Sequence, residues 1–171
     1  MGFPGAKFSP KWLNPSTLRH FSALTNVQEL AIDNLDTPRF IPEIHRYFGH
    51  FSSTVRSLTL KAPKGSHRQV IFFIGLFQYL EDLTLFNGTT EVDNFTLVPP
   101  FIPPLRGRLS LIYPRSEVGP LRDMIDLFGG IRFRSMELFA VPGTQLLLGA
   151  CEKTLETLRL DPTDYYGKEH P

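Results

Sequence analysis

The sequence predicts an α/β protein: a solenoid of about six strand–helix repeats, with a parallel sheet on its concave face. Three observations support this prediction. A short apolar motif returns along the chain at a nearly regular interval, and the segments between its copies change from alternating to helical periodicity. In addition, one strand and one helix cannot bury their own apolar face, whereas stacked copies can.

The motif is clearest in KTLETLRL, where Leu155, Leu158 and Leu160 follow the pattern Leu-x-x-Leu-x-Leu. Similar copies are VQELAI, VRSLTL, LEDLTL and FRSMEL, while GRLSLI keeps only the last part. In each copy the last two apolar residues are separated by one residue, so both point to one side of a short strand. The central residues are Leu30, Leu58, Leu83, Leu109, Met136 and Leu158, spaced 22 to 28 apart, which is within the range of leucine-rich repeats.

Helices are predicted between the early strands from capping residues. Asn14–Pro15 and Thr37–Pro38 each offer an N-cap followed by a first-turn proline. Ser66 and Gln69 have the spacing of a capping box, at the start of the apolar segment HRQVIFFIGLFQYL. We therefore expect three helices before the third strand, the last of them beginning at the start of this segment.

The later connections are of two kinds. Gly119–Pro120 begins an amphipathic helix that Gly129–Gly130 ends, and Thr144–Lys153 forms another helix. Residues 88–105 have no helical pattern and contain LVPPFIPPL, whose prolines exclude both a helix and a central strand. We predict an extended loop there.

Composition excludes several classes of function. The chain of 171 residues carries 18 Lys and Arg against 17 Asp and Glu, so its charge gives no reason to expect nucleic acid or an anionic membrane as a partner. The apolar run VIFFIGLF is far shorter than a membrane helix. The N-terminus, MGFPGAKFSPKW, lacks the apolar core of a signal peptide, so we expect an intracellular protein, cytoplasmic or nuclear.

The sequence offers no catalytic or metal-binding constellation. Cys151 is the single cysteine, which excludes an internal disulfide, and its neighbours in LLLGACEKT indicate a buried structural thiol. The five histidines are scattered, and His45 and His50 do not have the spacing of a helical metal pair. We expect no enzyme activity, no cofactor and no metal.

A partner site is predicted on the outward side of the strands. In the row after the last apolar position, Phe86, Ile112 and Phe139 belong to three neighbouring repeats and would form one apolar patch. This surface, the Phe86 patch, is the hypothetical binding site for a protein partner. The alternative is that the 88–105 loop or bent strands bury it as ordinary core. Its charged rim would be Arg108, Glu137, Arg159 and Asp161.

Residues 14–161 resemble the degenerate leucine-rich-repeat regions of basidiomycete fungal F-box-type proteins, with Phe- and Pro-rich linkers and irregular repeat lengths. We divide the chain into an N-terminal extension, 1–13, a repeat domain, 14–163, and a C-terminal tail, 164–171. In the family consensus an asparagine follows the third leucine and caps the turn. The corresponding positions here are Leu35, Pro63, Gly88, Pro114, Val141 and Thr163, so no asparagine ladder can form.

The resemblance implies a non-catalytic scaffold that holds the substrate of a ubiquitin ligase. It would contact the ligase adaptor only if an F-box exists outside this chain. The segment IPEIHRYF resembles the opening of an F-box, but the next strand motif, VRSLTL, begins too soon after it for the three helices of an F-box. A structural or assembly segment of a longer repeat protein is the alternative. A doubly wound enzyme is disfavoured, since its strands are continuous apolar runs whereas these alternate.

Overall fold

The computed structural model describes residues 20, 23–37, 48–86, 96, 98–112, 119–139 and 144–161. Within them the chain forms six strands of five residues: β1 Glu29–Asp33, β2 Ser57–Lys61, β3 Asp82–Phe86, β4 Arg108–Ile112, β5 Ser135–Phe139 and β6 Thr157–Asp161. The helices of the same part are a 3-10 helix at Gly49–Phe51 and three α-helices: α1 His67–Ile74, α2 Gly119–Leu127 and α3 Thr144–Cys151.

The six strands form one parallel sheet in the order β1-β2-β3-β4-β5-β6, so each strand lies beside its neighbour in sequence. The register follows the apolar motif, since Leu30 pairs with Leu58, and Leu58 pairs with Leu83. The series continues to Leu158 at the far edge. This confirms the six predicted strands and their alignment.

One side of the sheet packs against the helices and carries the core. Residues of α1, α2 and α3 belong to the same buried cluster as the inward residues of the strands. Aromatic rings of the α1 region add to it: Phe73 makes edge-to-face contacts with Phe48 and Phe77, with ring centroids 5.1 and 5.4 Å apart. The buried inward strand residues are Ile32, Leu58, Leu60, Leu83, Leu109, Leu111, Met136 and Leu138.

Main-chain hydrogen bonds extend the sheet beyond the start of the strands. The carbonyl of Gln28, just before β1, accepts the N–H groups of Arg56 and Ser57 at 2.8 and 3.0 Å. The carbonyls of Arg56, Gly107 and Arg134 accept pairs of N–H groups from the next repeat in the same way. This repeated arrangement pairs main-chain N–H groups that would otherwise lack a partner where the strands begin.

The junction of β3 and β4 departs from this pattern. The N–H of Gly107 donates to the carbonyl of Glu81 at 3.1 Å, but the N–H of Arg108 donates to the side-chain carboxylate of Asp82. A Cβ at position 107 would collide with that carboxylate. Gly107 therefore permits a side chain to replace a main-chain acceptor here.

The turns after β1 and β2 repeat one geometry. Asn34 and Ala62 have φ angles of 55° and 45°, in the left-handed region. Each donates its N–H to the last carbonyl of the next strand, at 2.8 and 2.9 Å. The buried Thr37 donates its hydroxyl to the carbonyl of Lys64 at 2.6 Å. Main-chain hydrogen bonds and the bond from the Thr37 hydroxyl thus connect neighbouring turns, which lack the asparagine that caps the turn in the consensus repeat.

Helix α1 begins as predicted and ends inside the apolar segment. The capping box is present, with the Ser66 side chain accepting the N–H of Gln69 at 3.2 Å and the Gln69 side chain accepting the N–H of Ser66 at 3.1 Å. The helix ends at Ile74, before the apolar segment does. Pro99 and the carbonyl of Phe101 approach Gly75 so closely that a Cβ there would collide with Pro99. The incoming segment therefore occupies the space of the next helical turn.

That incoming segment is the connection from β3 to β4. Its described residues, 96 and 98–106, form no helix, as predicted, while 87–95 and 97 lie outside the described residues. The N–H groups of Phe101 and Leu105 donate to the carbonyls of Gly75 and Leu80, both at 3.0 Å. With this connection extended, α1 and α2 contact each other directly, and Arg68 lies 3.9 Å from Asp123 between them.

The other predicted helices have mixed outcomes. α2 and α3 lie where expected, and Gly129 and Gly130, with φ angles of 65° and 111°, end α2. The helices predicted after Asn14–Pro15 and Thr37–Pro38 fall largely outside the described residues. None of the helices described is long and apolar enough to cross a membrane.

We expect Gly107→Ala to lower the free energy of unfolding by about 1 kcal/mol, because the methyl group displaces the Asp82 carboxylate from the Arg108 N–H. In an Asp82→Ala background the same change should cost almost nothing, since the displaced acceptor is already missing. Urea unfolding of the two single variants and the double variant measures this. Equal costs in both backgrounds would contradict the role assigned to Asp82.

Candidate functional site

The candidate site is the outward side of the sheet, opposite the helices. The alternate residues of each strand point here, and where their side chains are described they are exposed or half-buried, apart from the buried Ser110. Strand pairing aligns them into rows, so Ser110 lies beside Glu137, and Glu137 beside Arg159. The rows predicted from the motif are therefore present, and we call this surface the open face.

Three charged residues form an ion-pair cluster at the β4–β6 end of the open face. Glu137 accepts a hydrogen bond from Arg108 on one carboxylate oxygen, and its other oxygen lies 3.2 Å from the guanidinium of Arg159. The hydroxyl of Ser110 donates to the first oxygen at 3.3 Å. Three of the four predicted rim residues thus meet at one point. We call this group the Glu137 cluster.

The centre of the Glu137 cluster is half-buried, and its two arginines are accessible to solvent. The Glu137 side chain is 24% exposed, whereas that of Arg159 is 76% exposed. The hydrogen bond from Arg108 is the main reason why the pKa of Glu137 lies below its usual range, with the positive charges of Arg108 and Arg159 and the Ser110 hydroxyl adding to it against the opposing effect of burial. Two arginines around one carboxylate leave a net positive charge facing the solvent.

The predicted Phe86 patch is described in part. Phe86 and Ile112 are neighbours in the register of β3 and β4, and both are half-buried. Lys61, the preceding residue of the same row, places its ammonium group 5.8 Å from the centre of the Phe86 ring. The side chain of Phe139 lies outside the described part, although its backbone pairs with Asp161 in β6. The patch therefore remains a prediction, with two members adjacent.

One alternative is that the β3–β4 connection covers the Phe86 patch, and its position can be compared with that of the patch. Its described residues hydrogen-bond to Gly75, Leu80 and Glu81, which precede β3, whereas Phe86 and Ile112 end their strands. A five-residue strand separates these positions by roughly 13 Å. Whether residues 87–95 reach the patch lies outside the described residues.

The sequence interpretation missed two contributors to the open face. Ser110, which donates to Glu137, and Lys61, which lies against Phe86, are not among the predicted site residues. Both belong to the same rows as their partners, so adjacency within a row was the available signal. The diagonal contact from Arg108 to Glu137 had no such signal, because the two residues occupy different rows.

Other reactive residues do not gather in the described part of the chain. Cys151 is buried, and desolvation is the main reason why its pKa is raised, which disfavours the thiolate. Of the histidines, His20 and His50 are exposed, His67 is buried, and His45 and His170 lie outside the described residues. Among described residues, no group of three or more His, Cys, Asp or Glu side chains could hold a metal ion.

Comparison with known proteins gives no match for this chain, whether against family models, curated proteins or solved structures. The functional interpretation therefore depends on the sequence and on the geometry described above.

We expect Glu137→Gln to lower the free energy of unfolding at pH 7 by about 0.5–1 kcal/mol, because two arginines lose their shared carboxylate. A carboxyl group whose pKa is depressed on folding stabilises the protein above its unfolded pKa of about 4.3, and this contribution is lost as the pH falls through the folded value. The difference between the two proteins should therefore shrink as the pH is lowered below about 4.3. Urea unfolding across this pH range measures it.

Glu156→Gln is the matched control, because Glu156 lies 3.8 Å from Arg134 in a pair whose side chains are 68% and 65% exposed. Such an exposed pair contributes little, so this change should have almost no effect at any pH in this range. Equal losses for the two variants, or a Glu137→Gln loss that does not shrink as the pH is lowered, would contradict the arrangement.

Proposed function

We propose that this chain is a non-catalytic protein-binding scaffold, a leucine-rich-repeat solenoid that receives its partner on the open face. The observation that carries the proposal is the unequal covering of the two sides of the sheet. One side is packed against helices, whereas the outward residues of six aligned strands, apart from the buried Ser110, remain exposed or half-buried where they are described. A continuous sheet side without a covering layer is suited to a broad macromolecular contact.

The chemistry of the open face supports a protein as the ligand. Phe86 and Ile112 offer adjacent apolar side chains at the ends of β3 and β4. The Glu137 cluster offers two accessible guanidinium groups on the same side. Apolar anchors beside arginines are typical of protein–protein interfaces. A partner with an apolar side chain and a nearby carboxylate would satisfy both.

The resemblance to fungal F-box-type proteins gives this scaffold a more specific role. We propose that it is the substrate-recognition part of an F-box-type ubiquitin ligase receptor. Support for this role comes from the repeat motif and linkers of the sequence. The ligase adaptor would then contact an F-box outside this chain, and the open face would hold the substrate.

A second candidate function is favoured by β6. Its inward residues Leu158 and Leu160 are 41% and 49% exposed, whereas the corresponding leucines of β2, Leu58 and Leu60, are buried. Exposed leucines on an edge strand suit further stacking. We propose as the alternative that the chain is an assembly segment of a longer repeat protein.

Affinity capture from cell extract tests the scaffold function. Phe86→Asp/Phe139→Asp should stay folded by circular dichroism, become more soluble and lose a protein that the wild type retains. Arg159→Glu should weaken the same capture, because its side chain is exposed and its replacement reverses the charge of the Glu137 cluster. Arg132→Glu, which reverses an exposed charge outside the strands, is the matched control and should retain the partner.

The outcomes separate the proposals. Unfolding of the double aspartate variant would place Phe86 and Phe139 in the core, and the Arg159→Glu result would then decide whether the open face binds a partner. Identical captures by all folded variants would overturn the open-face function and leave the assembly alternative. If the wild type forms an oligomer that Leu158→Arg does not form, the assembly alternative is favoured directly.

A further inference from the structure

A groove of about 500 Å³ lies at the other end of the strands, away from the Phe86 patch. One wall is the turn that links α1 to β3, and the other is the extended connection that leads into β4. The floor includes the residue before β2. The residues that line the groove are Arg56, Gln78, Tyr79, Glu81, Ile102, Pro104 and Arg106.

The groove combines charged side chains with two large apolar ones at the surface. Tyr79 and Ile102, which both line it, are 42% and 66% exposed. Val98 and Phe101, from the same connection as Ile102, are also exposed. Soluble proteins rarely leave clustered large apolar side chains in contact with water unless another molecule covers them.

The walls of the groove are fixed without a ligand. The connection is held by the hydrogen bonds from Phe101 to Gly75 and from Leu105 to Leu80, both of 3.0 Å. On the other wall, the guanidinium of Arg56 lies 4.7 Å from the centre of the Tyr79 ring, and it donates to the carbonyl of Tyr79 at 3.3 Å. A preformed site loses less conformational entropy when it binds a ligand.

The charges of the groove indicate the sign of its ligand. Arg56 lies 3.8 Å from Glu81, so these two charges offset each other. Arg106 is exposed and has no ion-pair or hydrogen-bond partner among the residues that the structure describes. The groove therefore presents one uncompensated positive charge beside an aromatic and an aliphatic side chain.

We propose that this groove binds an extended peptide segment in which a carboxylate side chain lies next to a large apolar residue. The carboxylate pairs with Arg106, and the apolar side chain lies between Tyr79 and Ile102. This contact is independent of the open face, because the groove lies where the strands begin and the Phe86 patch lies where they end. A partner could use either surface alone.

Selection from a phage library of random twelve-residue peptides tests the proposal, with the full chain as bait. Enriched sequences should carry Asp or Glu within two positions of a large apolar residue. Their affinity, measured by fluorescence anisotropy with synthetic copies, should fall at least about tenfold in Arg106→Glu and in Ile102→Ser. Both residues are exposed, so circular dichroism should show both variants folded.

Two controls make the result specific. Arg132→Glu reverses an exposed arginine outside the groove and should leave the peptide affinity unchanged, and so should Arg159→Glu on the open face. When the Arg106→Glu variant is the bait, selection should enrich peptides that carry Lys or Arg in place of the acidic residue. No enrichment over the bare support, or peptides indifferent to Arg106→Glu and Ile102→Ser, would overturn the groove proposal. The open-face function would be unaffected, because its capture test uses different variants.

Discussion

The pair of inward apolar residues in each strand is the constraint on which the rest of this structure depends. Leu58 and Leu60, for example, must face the helices, because a shift of one residue would turn both into water. Six such pairs, aligned through parallel pairing, leave a single register for the sheet. The outward residues are placed by the same register. Glu137 thus meets Ser110 and Arg159 because of what lies on the opposite side of the sheet.

The strength of this constraint varies along the array. Central strands have a neighbour on both sides and inward residues that are buried, apart from the half-buried Leu85, and the bifurcated hydrogen bonds at their starts add to the alignment. At β6 the apolar pair remains, but Leu158 and Leu160 are exposed, so they bury less apolar surface. Because its inward leucines bury less surface, this end of the sheet should open first under mild denaturant.

The strands and the capping box of α1 could be predicted because their signals are local. Alternation of apolar residues sets a strand within five positions, and Ser66 and Gln69 are three residues apart. The early end of α1 had no local signal, since it follows from the approach of Pro99 to Gly75, across 24 positions of sequence. The groove escaped prediction for the same reason. Tyr79 and Ile102 are distant in sequence and line one groove only because the extended connection packs beside the turn before β3.

The direct contact between α1 and α2 has a geometric consequence for the array. Helices pack at about 8–10 Å, roughly twice the ~4.8 Å between parallel strands, so a helix in every repeat makes the helical layer longer than the sheet and forces it to bend. Here α1 and α2 are two strand intervals apart, a distance of about 9.6 Å that one helix contact fills. Among the described residues, 96 and 98–106 of the proline-rich connection add no third helix between α1 and α2. With one helix contact spanning two strand intervals, the spacing of these two helices alone imposes no bend on the sheet.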